Sequence, residues 1–264
     1  MPHLVDINLY LTRNRLSCNP AFGDSLEQAC AVGQGNATRM GAEFRFFFRR
    51  NMVVGLDEEL DALLAGLGYS SSLSEENRTD FYLHLGSDFI GAKFRAGKKW
   101  ECKYKVCEED YGIETYVKRK YGKAADFATH VAEVRLAMQE LVGVSPAVRF
   151  DELLHGATIP LKKSRRMLPG PSPSSIGVEV CMIEVAGISW VSIAVEGDSF
   201  DDVCAELQLE KYSSLLTLLH RAANLPRGSW VLGGYPKFVR AINEGLTDHD
   251  YASMASSIDA VIRR

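Results

Sequence analysis

No apolar run in this 264-residue sequence reaches the roughly 18 residues that a membrane-spanning helix needs. A basic excess is lacking too. Lys and Arg number 30 against 34 Asp and Glu, a net charge of -4, so no overall field draws the chain to nucleic acid. None of the six cysteines forms a CxxC pair, and Cys102 and Cys107 have no matching second pair. That argues against zinc and for free thiols in a reducing, intracellular compartment. The opening "MPHLVDINLYLTRNRL" lacks the basic, apolar and small-residue zones of a signal peptide, and Asp6 counts against Arg13 and Arg15 as a transit signal. "GQGNAT" lacks a third glycine and a preceding strand, so it is not a phosphate loop. There is no regular alternation of strand and helix, which argues against a parallel sheet.

What is present is a set of two-faced strands. In "EFRFFFRR" Phe44, Phe46 and Phe48 share one face, while Glu43, Arg45, Phe47 and Arg49 share the other. "RTDFYLHLGSDFIGAKFRAGKKWECKYKV" reads as three short strands with turns at Gly86-Ser87 and Ala96-Gly97-Lys98. "TIPLKKSRRM" is a further strand, and "GVEVCMIEVAGISWVSIAVEGD" is a hairpin turning at Ala186-Gly187. Helical spacing is seen in Leu56–Leu67, in a long stripe over 124–142, and in the tail at 200–207, 211–223 and 248–262, with a short piece after "GGYP". The expected fold is α+β, an antiparallel eight-stranded tunnel-like barrel with helices packed outside. The expected domains are an N-terminal extension, 1–40, and a barrel with C-terminal helices, 41–264.

The polar strand faces favour cations: Arg45, Arg49, Lys93, Arg95, Lys103, Lys105, Lys163 and Arg165, in a chain that is acidic overall. Apolar faces covered from outside and charged faces turned inward describe a barrel with a polar bore. Guanidinium and ammonium groups there suit a polyanion such as a polyphosphate or nucleotide. Glu43, Glu179 and Glu196 offer oxygen ligands to a divalent cation.

In these stretches the chain resembles the CYTH, or triphosphate tunnel metalloenzyme, superfamily. That group includes adenylate cyclases, thiamine triphosphatases and inorganic triphosphatases on an eight-stranded antiparallel tunnel. "DFIGAKFRAGKKWECKYKV" looks like its paired basic strand and the next strand, "PLKKSRRM" like the following basic strand, and "VEVCMIEVAGISWVSIAVEGD" like the late hairpin with metal-binding carboxylates. The resemblance spans roughly 42–198, with "GGYPKF" as a trailing element. The opening family motif, Glu-x-Glu-x-Lys, is here "EFRFF". Only Glu43 matches; Arg45 stands where a metal-binding Glu is implied, and Phe47 where a phosphate-binding Lys is implied.

The expectation is therefore a tunnel without catalysis, an accessory or structural subunit of a larger assembly, a mitochondrial one among those admitted. Its ligand-binding candidates are Arg45, Lys93, Arg95, Lys103, Lys105, Lys163 and Arg165, with no cofactor. Partners are other protein subunits, met through residues 1–40 and the outer helices, where Leu4, Ile7, Leu9, Leu11, Leu16 and Phe22 supply apolar side chains. The alternative is a triphosphatase dependent on Mg or Mn held by Glu43, Glu179 and Glu196, acting on inorganic triphosphate, thiamine triphosphate or a nucleotide.

Overall fold

The structure, a computed structural model, describes residues 38–53, 55–67, 75–84, 88–96, 98–108, 111–123, 158–168, 176–209 and 212–262. The helix expected over 124–142, the Gly86-Ser87 turn and nearly all of the 1–40 extension lie outside the described residues.

Eight strands close on themselves. They are β1 (Thr38–Arg49), β2 (Glu76–Leu83), β3 (Ile90–Arg95), β4 (Lys99–Glu108), β5 (Ile113–Lys123), β6 (Thr158–Leu168), β7 (Gly177–Val185) and β8 (Ile188–Gly197). The order is β5-β4-β3-β2-β6-β7-β8-β1, and β5 pairs back onto β1 to shut the barrel. Every pairing is antiparallel. This is the eight-stranded tunnel that the alternating faces imply. A short β9 (Trp230–Leu232) joins the same edge of β1 beyond β5: β5 covers Thr38 to Phe44 and β9 covers Phe46 to Phe48. The β7–β8 hairpin turns at Ala186 and Gly187, both at positive φ (50° and 75°), which matches the twist of the flanking strands.

Among the described residues, five α-helices pack around the barrel: α1 (Leu56–Gly66), α2 (Phe200–Leu207), α3 (Ser213–Ala223), α4 (Tyr235–Glu244) and α5 (Asp248–Ile262). They explain the aromatic face of β1. Phe44, Phe46 and Phe48 point outward yet are at most 1% exposed. Phe46 stacks on Trp230 at 5.9 Å, and Trp230 meets Tyr251 of α5 edge-on. Burial of each such ring contributes about 1.5–3 kcal/mol. Ser199 caps α2 by accepting a hydrogen bond from the Asp202 N–H.

Helix α4 is placed differently. It lies across one end of the barrel and sends its first turn into the bore. Tyr235 stacks on Tyr82, and Phe238 stacks on Phe47 at 4.1 Å and meets Trp190 edge-on. Arg240 ties the helix to Asp88 and Asp250, and Glu244 pairs with His84 at 2.9 Å. The approach depends on Gly234, where a Cβ would stand 2.5 Å from the Glu114 carboxylate. No described helix is long and apolar enough to cross a membrane.

Candidate functional site

The inward positions of the strands, taken every second residue, form the site. From β1 come Glu43, Arg45 and Phe47. Phe47 is fully buried at the α4 end, so the bore is blind there. The opposite end reaches solvent: the side chains of Arg95, Lys118 and Glu196 are each 28% exposed. Between these limits lies a cavity of about 70 Å³. At 10–15 Å³ for each water centre, that is room for roughly five to seven waters.

Eight cations and four carboxylates line this cavity. Asp80 and Glu76 pair with some of the cations without lining it, and the local balance stays positive. The register creates a problem that these cations solve. Glu43 sits directly opposite Glu114 on β5 and opposite Glu196 on β8. Like charges so placed repel. Lys103 donates to Glu43, and Lys105 lies 3.4 Å from Glu114.

Arg45 is the centre of the arrangement. Its Nη1 donates to Glu179 at 2.6 Å and to Ser192 at 2.9 Å, its Nη2 donates to Glu196 at 2.5 Å, and its Nε lies 3.5 Å from Glu43. The Tyr235 ring covers the guanidinium at 4.8 Å. Arg165 donates a second charge-assisted bond to Glu179. Burial alone would raise the Glu43 carboxyl, but Lys103 and Arg45 overcome it and hold the group down at about 2. Glu179 is held well below the usual carboxylate range against the same burial, chiefly by Arg45 and Arg165.

A second cluster lies deeper. Lys163 is 3% exposed and donates to the Tyr82 hydroxyl at 2.8 Å, with Asp80 at 3.4 Å and the Tyr235 ring 3.6 Å away. Burial, with help from the Lys93 charge, pushes its ammonium down to about 7, although Asp80 pulls the other way. Cys181 is buried nearby, and burial raises its thiol to about 11, so it is a thiol at neutral pH. Toward the mouth, Lys93 and Arg95 share Glu101 at 3.2 and 3.1 Å.

Of the candidates read from sequence, Arg45, Lys93, Arg95, Lys103, Lys163 and Arg165 all line the cavity. Lys105 does not. It is buried beside Glu114 with its ammonium over the Phe89 ring. Glu179 and Glu196 both face the bore together with Glu43. Sequence reasoning missed Arg78, Tyr82, Tyr116, Lys118 and Tyr235 as cavity residues. Alternation in "IETYVK" carried a signal for Tyr116 and Lys118; nothing local marked Tyr235.

The donor set does not fit a divalent metal. Among the described residues no three Asp, Glu, His or Cys side chains converge as a metal site. The three carboxylates nearest to one instead surround the Arg45 guanidinium, Glu179 and Glu196 accepting hydrogen bonds from it and Glu43 lying 3.5 Å from its Nε.

No family profile and no curated protein matches the chain. Solved structures do. One is a protein from Bacillus halodurans described as a candidate adenylate cyclase, 14% identical, with a TM-score of 0.45, covering 69% of this chain and 91% of that one. Another is a candidate adenylyl cyclase from Hippeastrum, described as having a dominant triphosphatase activity, 15% identical, with a TM-score of 0.40, covering 79% of this chain and 98% of that one. At these identities the likeness concerns the fold alone. A closed antiparallel barrel with a charged bore is the architecture that the resemblance to the CYTH superfamily implies.

Proposed function

We propose that the bore is a binding site for a polyphosphate anion, a nucleotide triphosphate tail or inorganic triphosphate, and that it holds this anion without hydrolysing it. The observation that carries the reading is the cation excess along a blind cavity, eight against four, in a protein whose net charge is negative. Buried ion pairs of this kind stabilise little, because desolvation offsets most of the attraction. Their retention makes better sense as a preformed cradle whose carboxylates yield to phosphate oxygens. Arg95 and Lys118, half-open at the mouth, would meet the anion first, and Lys93, Lys103 and Arg165 would hold it. Turnover is not expected, because the carboxylates that would carry a metal are engaged by Arg45.

The test is calorimetry of tripolyphosphate against the full chain in EDTA. Binding that weakens as salt is raised is expected, since the partly exposed cations are screened. Absence of heat at low salt would overturn the reading. A parallel assay of ATP, tripolyphosphate and thiamine triphosphate with Mg²⁺ or Mn²⁺ is expected to release no phosphate. Hydrolysis lost in Glu43→Ala would establish the metal-dependent triphosphatase instead. An accessory role in a larger assembly, mitochondrial or other, belongs to the proposal through the apolar side chains of residues 1–25 alone. Deleting them should free the protein from its complex and leave the barrel's melting transition unchanged.

A further inference from the structure

Arg45 raises a question that anion binding does not answer. A guanidinium buried to 2% exposure is costly unless every donor is met. Here Nη1 and Nη2 are met by Glu179 on β7 and Glu196 on β8, while the buried Nε has only the charge of Glu43, on its own strand, at 3.5 Å and no hydrogen-bond partner among the described residues. Two buried carboxylates, Glu43 and Glu179, and the partly exposed Glu196, with the Ser192 hydroxyl beside them, are the kind of oxygen donors a hard cation takes, here spread around a guanidinium. The cation present is a side chain. It cannot leave, it carries one charge rather than two, and its planar fork holds the carboxylates apart.

We propose that the Arg45 guanidinium is the resident cation of this tunnel, a tethered replacement for a divalent metal, and that it makes the site select the metal-free form of its anion. A metal complex of a polyphosphate brings its own cation into a site where Glu43, Glu179 and Glu196 already face Arg45, Lys103 and Arg165. The free anion instead presents its full charge to Lys93, Lys103 and Arg165. The selectivity half of the inference rests on the anion-binding reading; the replacement half does not.

The experiment separates the two. Mn²⁺ is titrated into the full chain, with no anion present, and free Mn²⁺ is followed by its electron paramagnetic resonance signal. Wild type should take up no Mn²⁺ in the bore and show no Mn²⁺-dependent rise in melting temperature. Arg45→Gln removes the cation that the three carboxylates share, leaving Lys103 on Glu43 and Arg165 on Glu179, and should bind Mn²⁺ at least about tenfold tighter, with a melting temperature that rises as Mn²⁺ is added. Should this variant fail to fold without metal, wild type still decides: Mn²⁺ bound with Arg45 in place, and lost in Glu179→Gln, overturns the replacement. A folded Arg45→Gln that binds no Mn²⁺ overturns it as well. For selectivity, tripolyphosphate is titrated into wild type in EDTA and in excess Mg²⁺. Weaker apparent binding in Mg²⁺ is expected, and tighter binding overturns it. Failure of wild type to bind tripolyphosphate in EDTA would remove the anion reading and leave the Mn²⁺ result standing.

Discussion

At the α4 end of the bore Phe47, Trp190 and Phe238 are packed ring on ring. A few positions along the same strands, Glu43, Arg45, Glu179 and Glu196 are packed charge on charge. The two ends share strands and twist, and Glu43, Arg45 and Glu179 are nearly as buried as the rings, though Glu196 reaches the open mouth. They differ in what holds them. The aromatic end gains from burial directly, and it stays closed without help. The charged end gains about as much from attraction as it gives up in desolvation, so its order depends on keeping every partner. A stretch of barrel that adds little to stability and is nonetheless finely paired is where a ligand can exchange partners at small cost.

The largest effect that would sharpen this contrast is Phe238→Ala. Removing a fully buried ring should cost about 3–5 kcal/mol in a denaturant titration. If the variant loses less than 1 kcal/mol, about the scale of an exposed ion pair, α4 does not seal the bore. Gly234→Ala comes next. Its new Cβ would press on Glu114 and Glu43 where α4 enters, and overpacking of that kind costs about 1–3 kcal/mol.

The third test is pH. The folded pKa of Lys163, about 7, lies below the roughly 10.4 of an unfolded lysine. Between those values the unfolded chain binds the extra proton, so this group makes stability rise with pH above about 7. Below 7 both states are protonated and the full penalty applies. Stability of wild type minus that of Lys163→Met should climb by up to about 1.4 kcal/mol per pH unit from 7 to 9. A flat difference would mean that Asp80 and the Tyr82 hydroxyl keep the ammonium charged throughout. The smallest effect on stability is expected from Arg95→Gln at the open mouth. It should change stability by no more than about 1 kcal/mol while weakening tripolyphosphate several-fold. A large loss of stability there would make the mouth as structural as the plug.

The barrel was legible because its strands obey a period of two. β1, β3, β4, β6 and the β7–β8 hairpin each show one apolar and one charged face, and that alternation places Arg45, Lys93, Arg95, Lys103, Lys163 and Arg165 on one side of the wall. β5 escaped because its basic second half, "KRKYGK", looks like a solvated loop, although Glu114, Tyr116 and Lys118 alternate with Ile113, Thr115 and Val117. β9 is three residues long and is a strand only because β1 offers it an edge. Tyr235 could not be placed from its neighbours in the chain. Its partners Arg45, Tyr82 and Lys163 come from β1, β2 and β6, and only the closed barrel brings them under one ring. The pairing of Arg45 with Glu179 and Glu196 was likewise hidden, since it depends on the stagger of strands rather than on spacing along them.

The relay of β5 and β9 along one edge of β1 bears on how the protein avoids self-association. Phe44 to Phe48 is a run of high strand propensity with a single charge, the type of segment that stacks into cross-β fibrils when its edge is open. β8 covers one edge of that run, but β5 stops at Phe44, and the other edge is finished by Trp230 to Leu232. A ribosome must therefore add more than 180 residues after Phe48, through Leu232, before those backbone groups find their partner. A truncated product ending before β9 would carry an unfinished edge beside three phenylalanines. Such products are expected to aggregate, or to be held by chaperones, far more than the intact protein.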